Sequence, residues 1–203
     1  MEAGIRATAS DARRNAILDA ALPLFVKQGY AGTGIGDIRR ASGASVGSIY
    51  HHFGGKEGVA AALYSGALRD YQEGVLVLIG AEPSAREGIE KLVRHHVGWV
   101  THHPDLARYL LGMRDAEVLL ASASEVRAMN RAFFRELYAW LDSQAERGAI
   151  QRLPRDLVFP LAIGPSQELA RNWLEGHAKT SPEEAAPVLA EAAWNALRAR
   201  RKR

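Results

Sequence analysis

Apolar residues return at helical spacing along almost the whole of this chain. In SDARRNAILDAALPLFVKQG, Ile17, Ala21, Leu24 and Phe25 stand at i, i+4, i+7 and i+8, one stripe on a helix. Ser10 is placed to cap its start and Gly29 to end it, and Pro23 inside the pattern predicts a kink. Two short segments follow, 35–42 and 45–52, separated by Gly43-Ala44. After GGKEG a longer pattern opens near Lys56 and runs past Tyr71 towards Gly80.

The second half carries clear start and stop signals. Ser84 followed by Glu87 has the spacing of a capping box ahead of IEKLVRHHVGWV. His103-Pro104 breaks that helix, and Pro104 can open the next. From about residue 116 to 147, Leu119, Val126, Phe133, Leu137, Trp140 and Leu141 mark an apolar face that Gly148 closes. A helix over about 156–176 is interrupted by Pro160 and Gly164-Pro165. Ser181-Pro182-Glu183-Glu184 then offers an N-cap, a proline at the first helical position and a glutamate at the third. No segment alternates with β-branched residues, so the fold class is all-α: three short helices, then five or six longer ones.

Composition narrows the chemistry. The chain has 203 residues, 47% hydrophobic and 24% charged, enough for a substantial core. It has no cysteine, which excludes disulfides, thiolate zinc sites and thiol nucleophiles. The apolar run 75–79, like every other in the chain, is far too short for a membrane span, and no signal-peptide pattern opens the chain. A cytoplasmic protein with no membrane partner is the expectation. The net charge of +3 is segregated: +3 over residues 1–56, −5 over 57–197, and +5 in the closing RARRKR. A basic amino-terminal part suits a nucleic-acid-facing end, although a basic tail by itself is usually a solvated terminus.

The stretch GASVGSIYHHFGGKEG has the layout of a helix-turn-helix. Ile38 and Ala41 turn the first short helix inward, Gly43 permits the turn, and Ser45 can cap the second helix. Ile49 and Phe53 anchor that second helix from beneath. Ser45, Val46, Gly47, Ser48, Tyr50 and His51 are left facing outward. Small residues let the backbone approach base edges, while Tyr50 and His51 have the length and polarity to reach phosphate oxygens. Lys56 adds a positive charge where free helix N–H groups already favour a phosphate.

GYAGTGIGDIRRASGASVGSIYHHFGGKEGV resembles the amino-terminal domain of the TetR family of transcriptional repressors. The shared frame is Gly29-Tyr30, Thr33, Asp37-Ile38, Ala41, Gly43, Ser45, Gly47, Ile49-Tyr50-His51-His52-Phe53 and Lys56-Glu57. The resemblance implies a helix-turn-helix DNA-binding domain over 11–71, with its recognition motif at about 34–53. It further implies a carboxyl-terminal ligand-binding and dimerisation domain over 72–203. Thr33, Ser45, Ser48, Tyr50, His51 and Lys56 fall at positions that commonly contact DNA in the family, and Val46 joins them at the helix tip. Three departures stand out: Val46 where lysine or arginine is frequent, Gly34 where Ser or Thr would cap, and Arg39 where alanine is usual. The implied function is a ligand-responsive repressor. It would bind a pseudo-palindromic double-stranded DNA operator as a homodimer and be released by a small-molecule effector, with the helix that starts at Lys56 carrying the motion.

The remaining histidines and aromatics are read with packing in view. Adjacent histidines on a helix point about 100° apart and cannot share one ion, so His51-His52 is no metal site, and His52 is as well explained by packing. His95-His96 and His102-His103 are two turns apart and lack the spacing of a chelate, so they read as cavity lining or solvated surface. No metal and no cofactor is expected. His95, Trp99, Met113, Phe134 and Trp173 are candidates for an effector pocket, although packing alone also accounts for such a set. Leu161, Leu169, Trp173, Leu189, Ala193 and Leu197 are candidates for the dimer interface on the last two helices. The rival readings are a helical protein-binding adaptor and a small all-helical metal-dependent enzyme. Against an enzyme, the chain lacks a G-x-S-x-G elbow, a helical metal cluster and a Gly-rich phosphate loop.

Overall fold

The computed structural model describes residues 2–81, 84–113 and 116–199, with side chains described for 9–81, 84–113 and 122–199. The side chain of Leu119 and the tail residues 200–203 lie outside the described residues. Ten helices are described: α1 (Glu2–Gly32), α2 (Ile35–Ser42), α3 (Val46–Phe53), α4 (Lys56–Gly80), α5 (Ala85–His102), α6 (Pro104–Gly112), α7 (Ala116–Glu146), α8 (Arg155–Ala162), α9 (Gly164–Leu174) and α10 (Pro182–Leu197). Among the described residues there is no strand, only an isolated bridge between Ile150 and Arg198. No described helix is long and apolar enough to cross a membrane.

The helices start and stop where local chemistry places them. Ser45 Oγ accepts from Ser48 N–H at 3.1 Å to cap α3, and Ser84 Oγ accepts from Glu87 N–H at 3.3 Å to cap α5. At α10 the capping box is reciprocal: Glu184 N–H donates to Ser181 Oγ at 3.2 Å and Ser181 N–H to Glu184 Oε2 at 2.9 Å. Gly43 adopts φ 67°, a left-handed conformation that L side chains resist, and this lets α2 end and α3 start within three residues. One expectation for α1 is corrected: helix already runs from Glu2, so Ser10 lies inside it and caps nothing. The regular helix is broken at Gly29 (φ 75°, ψ 167°), the residue expected to end it, and Pro23 lies inside the helix.

The chain divides into two compact units, Met1–Leu68 with Arg108–Arg127, and Arg69–Ala107 with Ala128–Arg203. The first is discontinuous, unlike the 11–71 domain expected from the sequence. Tyr109 explains the added segment: it is buried, stacks on Phe25 (5.9 Å, 27°), and its hydroxyl donates to Ala60 O at 2.9 Å. Ile17, Ala21, Phe25, Ile38, Ile49, Val59 and Leu63 complete this core. Full burial of an isoleucine such as Ile38 or Ile49 is worth roughly 1.5–3 kcal/mol, enough to seat a helix of two turns. Ala41, expected to point inward, is exposed. The buried side of α2 runs through Ile35, Ile38 and Ser42, about a quarter turn away, and Ala44 fills the core instead.

In the second unit α10 packs on α5. Arg86 Nη2 donates to Glu191 Oε2 at 2.7 Å near one end, and Thr101 Oγ1 donates to Glu183 Oε1 at 2.6 Å near the other. The core holds Val75, Ile79, Ile89, Leu92, Val93, Phe133, Trp140, Leu141 and Ile163, together with Ala190, Ala193 and Leu197 of α10.

Candidate nucleic-acid interface

Two contacts below and a cap at one end hold α3. Ile49 is fully buried and Phe53 packs half-buried against the core, with the Arg14 guanidinium 5.4 Å from its ring centroid. These anchors turn the opposite face outward. Val46 is 43% exposed and Tyr50 53%, and Ser45, Gly47 and His51 are exposed with them. A Cβ built at Gly47 would meet nothing nearer than Ser45 Oγ at 4.0 Å, so the fold does not require glycine there. Ser48 is half-buried, and its backbone N–H is taken by the Ser45 cap. His51 and His52 meet edge to face at 5.2 Å, but their surroundings differ. His51 stays exposed, whereas His52 is half-buried against Phe53 at 6.1 Å. At the start of α2, where Gly34 offers no side-chain cap, Asp37 accepts from Gly34 N–H at 2.8 Å. Asp37 also pairs closely with Arg40.

Thr33 does not belong with this face. Its side chain is 1% exposed and its hydroxyl donates to Gly29 O at 2.9 Å, closing the turn that Gly29 opens. Lys56 is half-buried and pinned: Nζ donates to Tyr30 O at 3.0 Å and lies 4.1 Å from the Tyr30 ring centroid. The part played by Tyr30 escaped sequence reasoning, because it joins residues 26 positions apart. The aromatic of the Gly29-Tyr30 pair was its sole trace in the sequence.

The effector candidates separate. Met113 packs against the core of the first unit, whereas His95, Trp99, Phe134 and Trp173 belong to the second. His95 lies hard against Gly74, and its Nε2 is 3.0 Å from Tyr71 O. Trp99 is buried and its Nε1 donates to Asp70 Oδ2 at 2.7 Å. Tyr71 gathers His95, His96 and Trp99 around its ring at centroid distances of 5.2, 5.8 and 5.6 Å. Its hydroxyl faces His96 Nδ1 at 3.2 Å. Asp70 and Tyr71 are thus members of this cluster that the sequence reading omitted, and His96, read there as cavity lining or surface, is buried in it. The hint available was the spacing of His95 and His96 from Trp99, four and three residues along one helix face. Burial pushes the His96 imidazole down to about 4, with a smaller push from His95, and burial raises the Tyr71 phenol. Both groups are therefore neutral at physiological pH. Phe134 stacks on Tyr138 at 5.6 Å, and Trp173 is half-buried on α9.

The dimer candidates separate too. Ala193 and Leu197 are each 2% exposed within the core of their own unit and are unavailable to a partner. Leu161, Leu169, Trp173 and Leu189 are half-buried. The apolar side chains that do stand out on these helices are Leu157 and Phe159 of α8 and Val188 of α10, the last 73% exposed. Among the described residues no group of three His, Cys, Asp or Glu could hold a metal ion.

Residues 17–63, which hold the whole of α2 and α3, match the model of the bacterial regulatory proteins of the tetR family. The HTH-type transcriptional regulator LmrA of Bacillus subtilis is 32% identical over 121 residues, covering 59% of this chain and 64% of that protein. The HTH-type transcriptional repressor KstR2 of Rhodococcus jostii is 35% identical over 81 residues, 40% of either chain. This chain thus spans less than two thirds of the length of these relatives. The crystal structure of a TetR family transcription regulator from Marinobacter aquaeolei shares the fold, with a TM-score of 0.78 over 95% of this chain and 99% of that one, at 23% identity. In its amino-terminal helix-turn-helix segment, residues 17–63, the chain is similar to the tetR family of bacterial regulatory proteins.

Proposed function

We propose that this protein is a ligand-responsive transcriptional regulator that binds duplex DNA through α3 and represses as a homodimer. The observation that carries the reading is the outward face of α3. Val46, Gly47, Tyr50 and His51 stand exposed on a helix capped by Ser45 and seated on Ile49. A helix so presented suits the major groove, with Tyr50 and His51 reaching phosphates and the short Val46-Gly47 tip lying close to base edges. Lys56 supplies the positive charge beside it. The similarity of the matched segment to the named regulator and repressor supports the same reading.

A two-fold pair of such helices reads two half-sites, so the active species is a dimer. Leu157, Phe159 and Val188 are the apolar side chains that a second copy would cover. An effector held by the second unit near Tyr71, His95 and Trp99 would lower operator affinity by a coupling free energy, and the operator would lower effector affinity by the same amount. Fluorescence anisotropy on labelled duplex DNA tests the central claim. The parent chain should bind with strong salt dependence. Tyr50→Ala and His51→Ala should each weaken binding while leaving the melting temperature nearly unchanged, because both side chains are exposed. Equal affinity in parent and both variants would refute DNA reading by α3.

A further inference from the structure

Lys56 and Glu57 are sequence neighbours of opposite charge at the start of α4, so a phosphate brought to the ammonium also meets the field of the carboxylate. In this protein Tyr30 keeps the two charges on different atoms. Its backbone carbonyl accepts from Lys56 Nζ at 3.0 Å, and its ring lies 4.1 Å from the ammonium. Its hydroxyl donates to Glu57 Oε1 at 3.1 Å. The other carboxylate oxygen, Oε2, is folded back over the turn before the helix, within 2.9 Å of where a Cβ on Gly55 would stand. Tyr30 is itself buried beside Phe25, ring centroids 6.0 Å apart, so the device is mounted on the core.

From this geometry we infer that Tyr30 is a positioning residue of the DNA interface: it withholds the Glu57 carboxylate and steadies the Lys56 ammonium for a phosphate. The inference rests on the DNA-binding reading above. An ammonium has three donors, and the Tyr30 carbonyl takes one, leaving two for phosphate oxygens. A lysine held against an aromatic face and a carbonyl also has less rotamer freedom to lose on binding. The carboxylate is the opposing element. Released from the hydroxyl, it would be free to swing towards the same phosphate and repel it.

Anisotropy with a labelled random-sequence duplex across a salt series tests this, since phosphate contacts need no particular operator. Lys56→Gln is expected to lower the salt slope by about 0.9 per protomer. Tyr30→Phe keeps ring and carbonyl but frees Glu57, and should weaken binding about two- to fivefold at low salt. Adding Glu57→Gln to Tyr30→Phe should restore the parent affinity, whereas Glu57→Gln alone should change little. A merely structural loss at Tyr30 would not be repaired by neutralising an exposed carboxylate. Parent-like affinity in Tyr30→Phe overturns the inference, as does an equal effect of Glu57→Gln in both backgrounds. A parent chain with no salt-dependent binding would instead remove the DNA-binding reading, and this inference with it. In the unmutated protein, proton NMR should show the Lys56 side-chain methylenes shifted upfield by the Tyr30 ring; unshifted methylenes also overturn it.

Discussion

Substituting His96 by asparagine should flatten the pH dependence of stability by an amount the structure sets. Asparagine keeps a hydrogen-bonding atom near the place of Nδ1, opposite the Tyr71 hydroxyl at 3.2 Å, and removes the titrating ring. In the folded chain the His96 imidazole titrates near 4, against 6.5 for an exposed histidine, chiefly because burial disfavours the charged ring. The folded value lies below the unfolded one, so the unfolded chain takes up the proton first as the pH falls. The contribution is therefore complete above about pH 6.5 and is lost progressively as the pH falls towards about 4. The full gap corresponds to roughly 3 kcal/mol, of which about 2 kcal/mol is expressed between about pH 7.5 and about pH 5. Urea unfolding followed by tryptophan fluorescence, at matched protein concentration, measures it. The parent should lose about 2 kcal/mol more over that interval than His96→Asn. The variant starts from a lower stability because the smaller side chain leaves a cavity. Parallel curves for the two proteins would refute the assignment of His96 as a buried, neutral imidazole.

Two glycines on either side of the α3 anchors should respond in opposite ways. At Gly47 the space is open, so Gly47→Ala should leave thermal stability unchanged or raise it by up to about 1 kcal/mol. The added methyl stands on the outward face, and duplex affinity should fall about tenfold if the backbone approaches the groove closely; unchanged affinity would count against that approach. A Cβ on Gly58 would lie 1.7 Å from Phe53 O, where no side-chain movement can relieve it. Gly58→Ala should cost about 3 kcal/mol or more, as strained backbone positions do, and shift the end of α3. An unchanged melting temperature for that variant would show that α4 can move away from α3.

Much of this protein was legible because its signals are local. The Ser45, Ser84 and Ser181 caps, the turn at Gly43 and the break at His103-Pro104 each depend on a few residues that meet within one turn of helix, and the structure realises them. The burial of Ile38 and Ile49 followed from helical period alone. Period says that a helix has an apolar face, but it does not say what covers that face. Ala193 and Leu197 carried the right pattern for a partner copy, yet the core of their own unit covers them. Thr33 fits a DNA-contacting position in the family pattern, yet its hydroxyl is needed to close the Gly29 turn. Met113 looked like one more apolar member of an effector pocket, and the Phe25–Tyr109 stack draws its segment into the other unit. The charges beside α3 make the same distinction. Sequence alone determined that a lysine and a glutamate open α4; only the tertiary structure decided that Tyr30, 26 residues before the lysine, accepts from one through its carbonyl and donates to the other through its hydroxyl.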